Sequence, residues 1–192
     1  MGNQSGYKTL PFFKQTEIIH DFTAEFVEKY IEKFSRTRDQ MVQAARSGKQ
    51  NIPEGYLQKS LKGRIKLLGV SRGSLEELLN DYLDFLRQHN LTIWEKDHPQ
   101  AKKIRALVYN RYNNYKNYKF AHFAYKYVFA NLHERSEYKI YINSPENAAN
   151  CMVCLINQTN RLIDQKLRWL EEKFAEEGGY TENLFKKRLA NR

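Results

Sequence analysis

The sequence predicts an all-α protein, a bundle of long helices, and two observations carry that prediction. Breakers are scarce, with 9 Gly and 4 Pro among 192 residues, so the turn signals every ~8–12 residues that sandwiches and barrels need are missing. In the uninterrupted stretches, apolar residues recur at spacings of three and four, the period of one helix face. Apolar residues make up 41% of the chain, enough for one substantial core in a single domain of this length.

Residues 1–15 are expected to form an irregular N-terminal arm, with Pro11-Phe12-Phe13 tucked onto the body. A first helix is predicted from Thr16 to Phe34, carrying Ile19, Phe22, Phe26, Tyr30 and Phe34 on its apolar stripe. Thr37-Arg38-Asp39-Gln40 has the form of a capping box and opens a second helix. There Met41, Ala44, Ala45, Gly48 and Ile52 share one face of mostly small side chains, which lets a neighbour approach closely. Pro53 and Gly55 should kink or end it, since proline cannot donate to the ladder.

A third helix, Leu61 to His89, has a stripe of Ile65, Leu68, Leu75, Leu78, Leu79, Tyr82, Leu83 and Leu86. Its outer face carries Glu77, Asn80, Asp81 and Asp84, and nothing in the sequence perturbs those carboxylates. Gly69 and Gly73, one turn apart, suggest another close helix contact, and Arg72 is expected to pair with Glu76 one turn on. A loop anchored by Trp94 leads to a fourth helix over 100–129, part of an inserted or extended helical segment expected over 98–135. Ser144-Pro145 places a cap and a first-turn proline at the start of a fifth helix, 145–177. Its stripe of Met152, Ile156, Ile163, Leu167, Leu170 and Phe174 is widened by Cys151, Leu155, Leu162 and Trp169, and Gly178-Gly179 ends it. The helical body thus covers 16–177, and residues 178–192 hold a short basic tail helix.

The chemistry of catalysis is sparse. Cys151-x-x-Cys154 lacks the second ligand pair that zinc requires and the strand–helix setting of a redox motif, so both thiols read as core. Of the Glu-x-x-His spacings, Glu95 to His98 falls in a loop and Glu17 to His20 stands alone on the first helix, whereas a di-iron bundle needs two such motifs on helices plus two further glutamates. There is no Gly-rich phosphate loop and no nucleophile motif. The sequence therefore predicts no enzyme, no metal and no cofactor. Two cysteines make no disulfide framework, no signal peptide stands at Met1-Gly-Asn, and no run reaches the ~18 apolar residues of a membrane span, so a soluble cytoplasmic protein without a membrane partner is expected.

Charge is more informative. The chain has 32 Lys+Arg against 22 Asp+Glu, net +10. Residues 36–72 carry nine Lys/Arg against two carboxylates, net +7, and residues 98–133 carry seven against none, again +7, leaving the rest at −4. Segregated positive charge is what phosphate binding needs. The second basic segment interleaves Tyr109, Tyr112, Tyr115 and Tyr118 with Arg111, Lys116 and Lys119. Two arrangements are open for these rings: stacking on exposed bases, or packing on the bundle with the cations in water. A three-residue repeat drifts about 60° per step around a helix, so the four tyrosines cannot share one face.

Residues 40–55, Gln-Met-Val-Gln-Ala-Ala-Arg-Ser-Gly-Lys-Gln-Asn-Ile-Pro-Glu-Gly, resemble the signature of the bacterial four-helix-bundle proteins first described from intervening sequences of 23S rRNA genes. Leu68-Gly-Val-Ser-Arg-Gly-Ser-Leu-Glu-Glu-Leu78 is similar to that family's third helix, and the region from Ala148 through Gly178-Gly179 to the branch with the four helix bundle suffix segment. The resemblance implies an antiparallel four-helix bundle and a homo-oligomer, since relatives form ring-shaped pentamers. One such relative, an accessory protein of diversity-generating retroelements, binds a reverse transcriptase and nucleic acid through a basic surface. The Tyr/Lys-rich fourth segment departs from the minimal family. Ala44, Ala45, Asn51, Gly55, Gly73 and Leu75 then look architectural.

Charge placement and resemblance together predict a protein that binds RNA or DNA through phosphate contacts. The residues expected to make them are Arg38, Arg46, Lys49, Lys59, Lys62, Arg64, Lys66, Arg111, Lys116 and Lys119. The competing expectation is a protein–protein adaptor whose charge meets an acidic partner or keeps it soluble.

Overall fold

The structure, a computed structural model, describes residues 6–106, 138 and 140–190. Among the described residues every regular element is helical. After a single 3-10 turn at Gly6–Thr9 come α1 (Pro11–Tyr30), α2 (Arg36–Leu57), α3 (Leu61–Gln88), α4 (Pro145–Glu177) and α5 (Tyr180–Ala190). Residues 99–106 are also helical; the remainder of the predicted 98–135 segment, with its tyrosines and with Arg111, Lys116 and Lys119, lies outside the described residues.

Helix α1 packs on α2 and α4, and α3 packs on α2 and α4, so each of the four long helices has two flanking neighbours. Side-chain pairs fix their directions. Ser47 meets Ser74 (2.8 Å) and Gly48 lies against Leu75, whereas Gly55, further along α2, lies against Leu67 and Leu68, earlier in α3. The two helices are therefore antiparallel. Arg72 to Asp164 and Asn160 to Glu76 set α3 against α4 in the same sense, and Gln15 to Thr159 with Tyr30 to the Ile142 carbonyl does so for α1 and the α4 side. Across the interior, Thr23 and Tyr82 share a buried hydroxyl–hydroxyl bond of 3.0 Å, and Phe26 packs edge-on against Tyr82 and Phe85. These polar pairs fix the register of an otherwise apolar core, because a slip would leave buried donors without acceptors.

The ends of the helices differ from the sequence expectation in several places. Helix α1 begins at Pro11, five residues early, because Phe12, Phe13 and Gln15 are all buried on it and proline suits a first turn. It stops at Tyr30, where Ile31 turns extended, and Phe34 is left 93% exposed. Ser35, not Thr37, caps α2, its Oγ accepting the Thr37 N–H. Pro53 does not end α2, which runs on to Leu57. The close fit of Gly55 against Leu67 holds the last turn in place (a Cβ at Gly55 would come within 3.2 Å of the Leu67 Cβ).

Gly69 and Gly73 have open space where a Cβ would stand, so they make no close helix contact among the described residues; Gly48 makes one instead. Other expectations match. Ser144 caps α4 with Pro145 in its first turn, and Gly178 ends it at a φ of 76°, a conformation that costs other residues a Cβ clash. Arg72 pairs with Glu76 at 2.6 Å and also with Asp164 at 3.0 Å. No helix among the described residues is long and apolar enough to cross a membrane.

Candidate nucleic-acid interface

One end of the helix assembly is built from the last turn of α2, the 58–60 connection, the first turns of α3 and the last turns of α4. Ser60 caps α3 by accepting the Gly63 N–H at 3.0 Å, which starts that helix with Lys62, Arg64 and Lys66 in its first two turns. Lys59, Lys62 and Lys66 are exposed. Arg64 is more restrained: its Nε donates to the Gln58 carbonyl at 2.8 Å, and its guanidinium carbon lies 6.0 Å from the centre of the Tyr56 ring.

Because α4 runs antiparallel to α3, its C-terminal half arrives at this same end. It brings Lys166, Trp169 and Lys173, which at spacings of three and four share one helix face. The Lys166 Nζ lies 3.5 Å from the indole centre and the Lys173 Nζ 5.3 Å from it. Lys173 also reaches Glu177 at 3.5 Å. Burial, then the charges of Lys173 and Arg64, push the Lys166 ammonium below the usual lysine pKa. Two cations thus stand against an exposed indole with the charge of Arg64 bearing on one of them, and a polyanion would relieve their mutual repulsion.

The predicted cations do not form one patch. Arg38 sits at the opposite end of α2, ion-paired with Glu28 of α1. Arg46 is exposed at mid-helix, and the Lys49 Nζ lies 3.4 Å from the His20 Nδ1. A helix rises ~1.5 Å per residue, so Arg38 stands about 30 Å along α2 from Leu57, its last residue, beyond which Lys59 lies. Among the described residues, Lys59, Lys62, Arg64 and Lys66 are the predicted cations that fall at one end. Lys166, Trp169 and Lys173 were missed; Trp169, read as part of the core stripe, is 47% exposed. The Lys-x-x-Trp-x-x-x-Lys spacing was the available signal, but its meaning depends on where α4 ends relative to α3.

The far end of the assembly carries a cleft with acidic residues in its lining. The cleft, of about 290 Å³, is lined by Tyr30, Ile31 and Phe85 together with Glu32, Asp81 and Asp84. Asp81 corrects the expectation that the outer carboxylates of α3 are unperturbed: burial, then Asp84 and Glu77, raise its pKa to about 6. Cys151 is buried and Cys154 half-buried, and burial pushes both thiols above their ordinary pKa. No group of three or more His, Cys, Asp or Glu among the described residues is arranged to hold a metal ion.

Comparison of the chain with protein-family models, with characterised proteins and with solved structures found no match.

Proposed function

We propose that the chain is a non-enzymatic nucleic-acid-binding protein on an antiparallel four-helix bundle, and that the Lys59–Lys66 end is its phosphate-contacting surface. The observation that carries the reading is that the charges of Lys173 and Arg64 bear on Lys166 at the end of the assembly where Lys59, Lys62 and Lys66 are exposed. Lys166 is held against a ring face, and no carboxylate pairs with it among the described residues. Cations left in this state are stabilised by phosphates, and binding releases condensed counterions. Two helices, α2 and α3, join through three residues, and the pairwise directions described above support the four-helix bundle. The self-association of the chain rests on the resemblance of residues 40–55 and 68–78.

Binding to mixed-sequence RNA and DNA at increasing salt tests the reading. The logarithm of affinity should fall linearly with log salt, by ~0.7–0.9 for each neutralised phosphate, and Lys62→Gln with Lys66→Gln should shallow that slope. Absence of binding at low salt would sink it. Light-scattering mass in solution reports self-association.

A second reading, a protein–protein adaptor, draws support from α5. It buries no residue, and it leaves Leu184, Phe185 and Leu189 exposed beside Lys186, Lys187 and Arg188.

A further inference from the structure

The basic end carries aromatic rings as well as charge. Trp169 is 47% and Tyr56 42% exposed, although the protein's interior takes Phe26, Tyr82 and Leu75 to full burial. An indole left in water forgoes a large apolar stabilisation, so its exposure calls for a partner. Tyr56 is steadied edge-on by Tyr7, with ring centres 6.1 Å apart. Arg64 approaches one ring, and its charge is felt by Lys166, which lies on the other. Tyr56 with Arg64, and Trp169 with Lys166 and Lys173, are thus two ring–cation groups that the antiparallel packing of α3 and α4 brings to the same end of the assembly.

We infer that this surface takes single-stranded nucleic acid, unpaired bases stacking on Trp169 and Tyr56 while Arg64, Lys166 and Lys173 hold the phosphates. The inference rests on the nucleic-acid reading above and narrows it. A duplex keeps its bases stacked inside and offers phosphates alone, so it can use Lys59, Lys62 and Lys66 but gains nothing from the rings. A single strand presents base faces, and stacking on an aromatic side chain is tolerant of sequence. The ammonium of Lys166 is held by a ring face, an interaction of modest strength when exposed. A base can displace it, and the freed charge then meets the adjoining phosphate. Glu172 and Glu176 follow Trp169 at three and seven residues, so they share its helix face and set negative charge at the Lys173 side of the surface.

The test is fluorescence anisotropy of the full chain with a labelled mixed-sequence oligonucleotide of roughly 20 nucleotides, a length that exceeds one stacking site, single-stranded and annealed to its complement. The single strand should bind more tightly. Trp169→Ala should weaken it about tenfold, the lower range of one lost base stack, leave duplex binding unchanged and leave the salt slope intact. Lys166→Gln should lower that slope by about 0.7, one single-strand phosphate. Trp169→Phe, which keeps a ring, should restore most of the loss. Because Trp169 is exposed, circular dichroism of each variant should match the parent. Equal affinity for single strand and duplex, unaffected by Trp169→Ala, overturns the inference while leaving the phosphate reading standing. Absence of binding to either form overturns both.

Discussion

Gly48 lies so close to Leu75 that a Cβ on it would stand 2.8 Å from the Leu75 Cδ2 and 2.9 Å from its Cγ. Leu75 is fully buried, so its side chain has no open space to turn into. Ser71 Oγ donates to the Gly48 carbonyl at 2.6 Å, which holds the two backbones at this separation. Gly48→Ala is expected to destabilise by about 1–2 kcal/mol, the overpacking cost exceeding the helix-propensity gain of ~1 kcal/mol. Gly73→Ala is the control: it has open space around it and should gain about 0.5–1 kcal/mol. Urea midpoints of the two variants decide this, and an unchanged or higher midpoint for Gly48→Ala would show that α2 and α3 are not this close.

The buried amide of Asn150 pins the 91–95 loop onto α4. Its Oδ1 accepts the Trp94 N–H at 2.8 Å, and its Nδ2 donates to the carbonyls of Thr92 at 2.7 Å and Glu146 at 2.9 Å. Trp94 then stacks on His98 with ring centres 4.5 Å apart. Asn150→Ala should cost about 1–2 kcal/mol, since the part-buried Trp94 N–H loses its acceptor. Asn150→Asp is the sharper variant. A carboxylate still accepts from Trp94 but faces two carbonyls without a proton to give, so the loss should be as large at pH 7 and smaller in acid. Hydrogen exchange of the Trp94 amide should speed up in both variants; continued protection would mean that another group holds the loop.

The contrast between Ser144 and Thr37 shows what the sequence makes legible. Around α4 the start and stop residues act locally, and Ser144, Pro145 and Gly178 mark the bounds that the structure has. At α2 two caps compete, and Ser35 takes the role because α1 has already ended at Tyr30. Spacing alone put Phe34 on the α1 stripe and Trp169 on the α4 stripe, yet both are exposed. A stripe says which face turns inward but not how far along the helix the neighbours reach. The same reason hid half of the basic end: Lys166 lies about a hundred residues from Arg64 in the chain, and only antiparallel packing of α3 and α4 unites them. Residues 59–66 were legible because they are consecutive.

The two thiols should behave as core groups with a graded accessibility. Burial raises the pKa of Cys151, with a further push from Cys154; burial raises that of Cys154, partly offset by Arg105. Since the thiolate is the reactive form, both should be slow toward a thiol reagent at pH 8 in the native protein and fast in urea. Cys154 is half-buried and should label first, while Cys151 should label only at the rate of global unfolding. Rapid native labelling of Cys151, or a disulfide between the two, would contradict the buried arrangement.

Asp81 makes stability depend on pH in a direction opposite to that of a paired carboxylate. Its ordinary pKa of 3.8 is raised to about 6 by burial and by Asp84 and Glu77 on its own helix. Glu32 shares the cleft from the α1 side, as do Ser35 and Thr37 from α2 and His89 from the end of α3. Between those two pKa values the folded protein binds more protons at this site than the unfolded chain, so the contribution of Asp81 to stability falls as pH rises from about 4 to about 6 and is level above that. Asp81→Asn removes the penalty. It should raise stability by about 1 kcal/mol at pH 7, a value reduced for the solvent screening of a half-buried group. The gain should shrink through pH 5 and vanish below pH ~4, where both native and unfolded carboxyls are protonated. Urea midpoints of parent and variant at three pH values across that window measure it. A gain that persists undiminished in acid would assign the effect to something other than the charge of Asp81.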